Sequence, residues 1–322
     1  MMVKKLHLIL IYFSLSFVGL LSYSLPKEAT ADGAGINQTS LTGNKSAALD
    51  LNVLVGKGLE LYNMSDYQGA LTWFDRALAR DPNNSSAIVN KARAYYNLDK
   101  LQDALQWFDK VLVIEPNNVV ALNGKASALA DMGQNEEALR FYDKALAIEP
   151  NNVNALTNKG LTLSDLDKDQ EAIVLYNRVL EIDHQDIDAL GNKGWSLYKL
   201  GNFTDSLLFS DKALAVDPYD VVPLSNKGLA LYKLGQYNQS LVWFDKALVI
   251  DPNFVESMVG IGLDYDKLGK PEEAKKWFNK ALSTDASIAK SLANSGLALS
   301  NSTEYREVVG WLDQIILTDL SK

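Results

Sequence analysis

A chain of 322 residues that is 47% hydrophobic has enough apolar material for a folded core and room for one large domain or two average ones. Its net charge of −9 and pI near 4.9 set its field against phosphate backbones, so no nucleic-acid partner is expected. Cysteine is absent, and with His7 in the N-terminal apolar stretch His184 is the one remaining imidazole, which leaves triads, thiolate chemistry and most metal or acid–base sites little raw material.

The chain opens Met1-Met2-Val3-Lys4-Lys5 and then runs apolar through Leu6–Leu21, a charged segment followed by a hydrophobic one. Small residues at Ser22-Tyr23-Ser24 and Ala29-Thr30-Ala31 suit a signal peptidase. An uncleaved anchor is the rival reading, because continuing to Leu25 gives about 20 residues, enough to cross a bilayer. Residues 1–31 are therefore a signal peptide or a membrane anchor. In both cases Lys4 and Lys5 place the rest of the chain outside the cytoplasm, as a secreted or extracytoplasmic membrane-anchored protein.

Residues 32–50 turn to Gly, Asn, Ser, Thr and Ala, as in Asp32-Gly33-Ala34-Gly35, and read as a flexible spacer. Glycosylation sequons begin at Asn37, Asn44, Asn63, Asn83, Asn84, Asn202, Asn238 and Asn301, several of them in the spacer or in predicted turns.

From Leu51 the sequence repeats every 34 residues without insertion, over 51–84, 85–118, 119–152, 153–186, 187–220, 221–254, 255–288 and 289–322. Column 8 of each unit is small, from Gly58 and Ala92 to Gly262 and Gly296. Column 20 is Ala or Ser until Val308, and column 27 is small or branched, as in Ala77, Val111 and Ala213. Column 24 carries rings, as in Phe74, Phe108, Tyr142, Tyr176, Phe244 and Phe278, broken by Ser210 and Leu312. Column 32 is Pro82, Pro116, Pro150, Pro218 and Pro252, with His184 as a surface turn residue at the same place. Within a unit, apolar residues recur in steps of three and four, as in Leu224, Gly228, Leu231 and then Tyr237, Leu241, Phe244, Leu248. That pattern predicts two amphipathic helices, joined at pairs such as Leu200-Gly201 and ended by Asp251-Pro252-Asn253. Such a hairpin exposes an apolar face when alone, so stacking on its neighbours buries the core.

Small-8, Ala-20, Phe-24, Ala-27 and Pro-32 at period 34 resemble the tetratricopeptide repeat. The likeness spans the whole of 51–322. It departs from the common pattern at column 4, aliphatic in place of Trp, and at column 7, often Lys in place of Leu. The resemblance implies an all-α, right-handed superhelical solenoid of antiparallel helix pairs whose first helices line a concave groove, with columns 6, 9, 12 and 13 among those facing it. Column 6 then contributes Asn90, Asn158, Asn192 and Asn226, interrupted by Gly56, Gly124 and Gly260. A carboxamide both donates and accepts, so such a ladder can hold a peptide backbone whatever its sequence; equally, it can hydrogen-bond within the array. The other three columns add Arg93 with Tyr96, Trp195 with Tyr198 and Lys199, Tyr232 with Lys233, and Lys267, as anchors for a partner or as packing between repeats.

Column 7 lysines and column 25 aspartates invite an ion-pair ladder, although exposed pairs contribute little and solvated charge is the plainer account. The large apolar residues of column 23, such as Trp73, Trp107, Phe209 and Trp243, suit the seams between repeats. Because the chain stops at Lys322, Trp311, Ile315 and Ile316 of the last unit are expected to meet another subunit or to turn a polar side outward. The expectation is an adaptor that binds a protein or peptide in its groove, with no catalytic, metal or cofactor site. The alternatives are a membrane-tethered assembly factor working through its ends and convex face and, remotely, an enzyme.

Overall fold

The computed structural model describes residues 38–285, with side chains from Leu51 onward. They form seven helical hairpins: α1 (Gln38–Asn63) with α2 (Tyr67–Arg80), α3 (Ser85–Asn97) with α4 (Leu101–Ile114), α5 (Val119–Asp131) with α6 (Asn135–Ile148), α7 (Val153–Asp165) with α8 (Asp169–Ile182), α9 (Ile187–Lys199) with α10 (Phe203–Val216), α11 (Val221–Lys233) with α12 (Tyr237–Ile250), and α13 (Val255–Lys267) with α14 (Pro271–Thr284). No strand occurs among the described residues. The hairpins fall where the 34-residue period puts them. The segment 1–37, with the expected signal or anchor, and the eighth unit at 289–322 lie outside the described residues.

One boundary differs from expectation. Helix α1 begins at Gln38, so residues 38–50 of the expected spacer are helical. No proline interrupts the run from Gln38 to Asn63, and Leu41, Lys45, Ala47, Ala48 and Leu49 are good helix formers, so the ladder of the first repeat propagates backward.

The chain divides into two compact bodies within the first turn of α7, one ending at Ala155 and one beginning at Leu156. In the first, Phe74 and Phe108 are buried to 0% and 1% exposure; in the second, Tyr176 and Phe244 are at 0%. Each of these rings fills the place of a missing side chain. A Cβ on Gly58 would lie 2.4 Å from Phe74, one on Gly124 would lie 2.3 Å from Phe108, and one on Gly160 would lie 2.6 Å from Tyr176. Burying such a ring contributes about 1.5–3 kcal/mol, which links the rings of column 24 to the small column 8 at Gly58 and Gly160 and, at Gly124, to column 6 of the next hairpin, so that this column-6 glycine backs the core.

Helix ends follow local chemistry. Asn84, Asn118 and Asp186 accept from the backbone N–H groups of Ala87, Ala121 and Ala189 at 2.9, 2.9 and 2.8 Å, capping α3, α5 and α9. Each hairpin turns through one left-handed residue at column 15. Gly133, Gly201, Gly235 and Gly269 supply it without steric cost, but Ser65, Asp99 and Asp167 are forced to φ of 61°, 58° and 57°.

In three pairs the column-7 lysine is packed into the seam while its column-25 aspartate stays more than half exposed, so solvated charge describes the aspartates and not these lysines. Lys91 pairs with Asp75 of the preceding hairpin, Lys125 with Asp109 at 2.5 Å, and Lys227 with Asp211. The Lys91 side chain is only 7% exposed. Column-7 lysines also lie over the column-23 rings, and a column-26 cation lies over the same rings. Trp107 has Lys91 and Lys110 at 3.8 and 4.9 Å, Phe209 has Lys193 and Lys212 at 3.9 and 4.7 Å, and Trp243 has Lys227 and Lys246 at 3.7 and 3.8 Å from its centroid.

Candidate functional site

In the first body the expected groove residues are engaged with one another. Asn90 is 6% exposed; its Nδ2 donates to the Ser86 carbonyl at 2.8 Å and its Oδ1 accepts from Arg93 at 3.1 Å. The Arg93 guanidinium lies 4.8 Å above the Tyr62 ring, whose hydroxyl accepts from Asn97 at 2.6 Å. Tyr96 packs against the core cluster that contains Ile88 and Phe108. Here the asparagine of column 6 is structural.

The second body is different. Asn158 is half-buried, and its backbone carbonyl accepts from Thr162 at 2.9 Å. Asn192 on α9 is half-buried and Asn226 on α11 is 8% exposed; neither carboxamide has a hydrogen-bond partner among the described residues. Next to Asn192, one helical turn on, Trp195 stacks on Tyr198 with ring centroids 5.3 Å apart and planes 13° from parallel. The Trp195 Nε1 is buried and likewise unpartnered among the described residues.

Tyr198 leans on Phe203 at 5.5 Å and Tyr232 on Tyr237 at 5.6 Å, which leaves the two tyrosines 8% and 7% exposed. Each braces the turn of its own hairpin. Burial, helped by Tyr232, raises the pKa of the Tyr198 phenol, so it stays a neutral hydrogen-bonding group.

Lys199 is committed to the seam. Its Nζ donates to the Ser164 carbonyl at 2.5 Å and lies 3.1 Å from Asp167 and 3.0 Å from Asp169. Asp169 is 4% exposed and also accepts from the Ser164 hydroxyl at 2.7 Å. This clamp ties α9 to the α7–α8 turn. Nothing in the 34-residue pattern marks it, since acid at column 17 occurs in one unit only. Lys233 lies 5.6 Å over Tyr232, and burial together with the neighbouring Lys267 lowers its pKa.

The architecture is that of an interaction array of stacked helical hairpins, in which identical faces recur one repeat apart. Tetratricopeptide repeat models match residues 55–119, 118–185, 222–254 and 255–288, and the chain belongs to the tetratricopeptide repeat family. Comparison with curated proteins gave no match. Among solved structures, a tetratricopeptide repeat protein from Parabacteroides merdae is similar with TM-score 0.62 and 20% identity, covering 77% of this chain and 99% of that one. The APC/C hetero-tetramer Cut9-Hcn1 gives 0.61 at 17% identity, over 79% of this chain and 52% of that one. PilW, described as a widely conserved type IV pilus biogenesis factor, gives 0.60 at 21% identity, over 64% and 96%. At these identities the likeness establishes the fold.

Proposed function

We propose that the protein is an extracytoplasmic interaction scaffold that holds an extended segment of a partner protein along the first helices of its second body. The observation that carries this reading is the pair of unpartnered carboxamides, Asn192 and Asn226, one repeat apart beside the Trp195–Tyr198 stack. Their spacing on successive first helices lets one backbone satisfy both, with Asn158 extending the row. Trp195, stacked on Tyr198, offers a ring face to an apolar side chain of the partner. Extracytoplasmic placement is supported by Lys4, Lys5 and the apolar Leu6–Leu21 run.

Each buried hydrogen-bonded contact that is lost costs about 1–3 kcal/mol, and 1.4 kcal/mol is tenfold in affinity. Peptides selected from a display library on the full chain should therefore bind Asn192→Ala/Asn226→Ala at least tenfold more weakly, with helicity unchanged. Asn90→Ala should leave their affinity intact. Ligands indifferent to the double substitution would place the site elsewhere.

A second reading, an assembly factor that works through the outer face, draws on Val174, Leu208 and Val242. They occupy one column on α8, α10 and α12 and are 65%, 48% and 52% exposed, where the first body has Thr72, Gln106 and Arg140. No helix among the described residues is long and apolar enough to cross a membrane, so a tether in this reading falls to the N-terminal segment.

A further inference from the structure

Column 10 lies on the buried side of the first helix, and it is Ala94, Ala128, Thr162, Ser196 and Ala230 in five successive hairpins, all at 2% exposure or less. In α13 the same place holds Asp264, at 0% exposure. Neither carboxylate oxygen has a hydrogen-bond partner among the described residues. Its polar neighbour is Ser240 on α12, but that hydroxyl donates to the Gly228 carbonyl at 2.8 Å.

Among the described residues no cation pairs with it. Of the charged groups on the helices packed around α13, Lys227 of α11 is held by Asp211, and Lys233 lies beside Lys267 over Tyr232. On α12, Asp245 is exposed and Lys246 covers Trp243, while Tyr237 rests on Tyr232. On α14, Glu272 and Lys275 are exposed, Glu273 pairs with Lys276, and Lys280 covers Trp277. On α13 itself, Tyr265 lies under Lys270, and Glu256 is at the opposite end of the helix. A bare carboxylate in such a place is strongly disfavoured, whereas the neutral acid is tolerated.

We propose that the seam holding the α13–α14 hairpin against α12 is a proton-operated joint, tight while Asp264 is neutral and loosened as opening lets the carboxyl shed its proton. Desolvation raises the pKa of Asp264 from 3.8 to about 8 in the closed seam. The sign follows from linkage. Between the open and closed values the closed state holds a proton that the open state releases, so opening becomes easier by about tenfold per pH unit as pH rises from 4 to 8. Below that window the seam is tightest; above it the loss is complete.

Hydrogen exchange of α13 amides in the full chain, corrected for intrinsic rates, tests the joint. Wild-type protection relative to Asp264→Ala should fall about a hundredfold between pH 5 and pH 7, while peptides from α3 and α4 show the same ratio at both. Alanine already stands at this column in three hairpins, so the variant keeps the packing. Asp264→Asn, which retains the shape but not the ionisation, should lose the pH dependence as well. A wild-type to Asp264→Ala ratio that stays constant from pH 5 to 7 overturns the proposal, as does an Asp264→Asn chain that keeps the wild-type slope.

Discussion

Two glycines at the same column should respond in opposite directions to alanine. A Cβ on Gly228 would fall 2.6, 2.7 and 2.8 Å from three atoms of the Phe244 ring. That ring has little room to retreat, because it is fully buried and also lies against Gly260 of the next hairpin, whose missing side chain it replaces. Gly194 faces no ring, since Ser210 replaces the aromatic of its hairpin, and its nearest atoms would be at 3.5, 3.5 and 3.7 Å. Alanine in a helix interior gains about 1 kcal/mol over glycine, and overpacking a core costs about 1–3 kcal/mol. Gly194→Ala should therefore stabilise by up to about 1 kcal/mol, while Gly228→Ala should destabilise by up to about 2 kcal/mol after the helix gain is subtracted. For a chain of this size each kcal/mol moves the thermal midpoint by about 2–4 °C. Circular dichroism at 222 nm during heating, with urea titration as a second measure, reads both signs. If the two variants shift in the same direction, ring against glycine is not what sets column 8, and the packing argument fails.

Asp75→Asn should destabilise the first body by about 1 kcal/mol, because it leaves the 7%-exposed Lys91 ammonium facing the Trp107 and Tyr95 rings without its carboxylate; a double-mutant cycle with Lys91→Met that shows no coupling would refute this. Ser65→Gly should raise stability by about 0.5–1 kcal/mol by relieving a left-handed serine at φ 61°, as chemical denaturation would show, and a loss would mean that the hydroxyl has a role of its own. Native protein should be found outside the cytoplasm; cytoplasmic protein still bearing Met1 or Met2 would refute export.

The 34-residue period was enough to read the helical hairpins and the column that supplies most of them with a buried ring, because helical periodicity dictates which residues of one segment share a face. Pro-32, as in Asp251-Pro252-Asn253, announced the breaks, and Leu-Gly pairs announced the turns, yet nothing local showed that Ser65, Asp99 and Asp167 would take glycine's conformation. Start of helix at Gln38 was hidden by a composition that resembles a linker. The site was less legible still. Asn90, Asn192 and Asn226 are equivalent in sequence, but only Asn90 has an arginine one turn on to consume its amide. Whether a column-7 lysine is solvated or lodged between a ring and an aspartate of the preceding hairpin depends on contacts sixteen residues apart across a seam. Lys199 meets Ser164 across thirty-five, and Asp264 is a polar letter in a polar-looking segment until α12 closes over it. A repeat fixes the face each side chain takes; its lateral neighbours, and with them charge and accessibility, exist only once the hairpins stack.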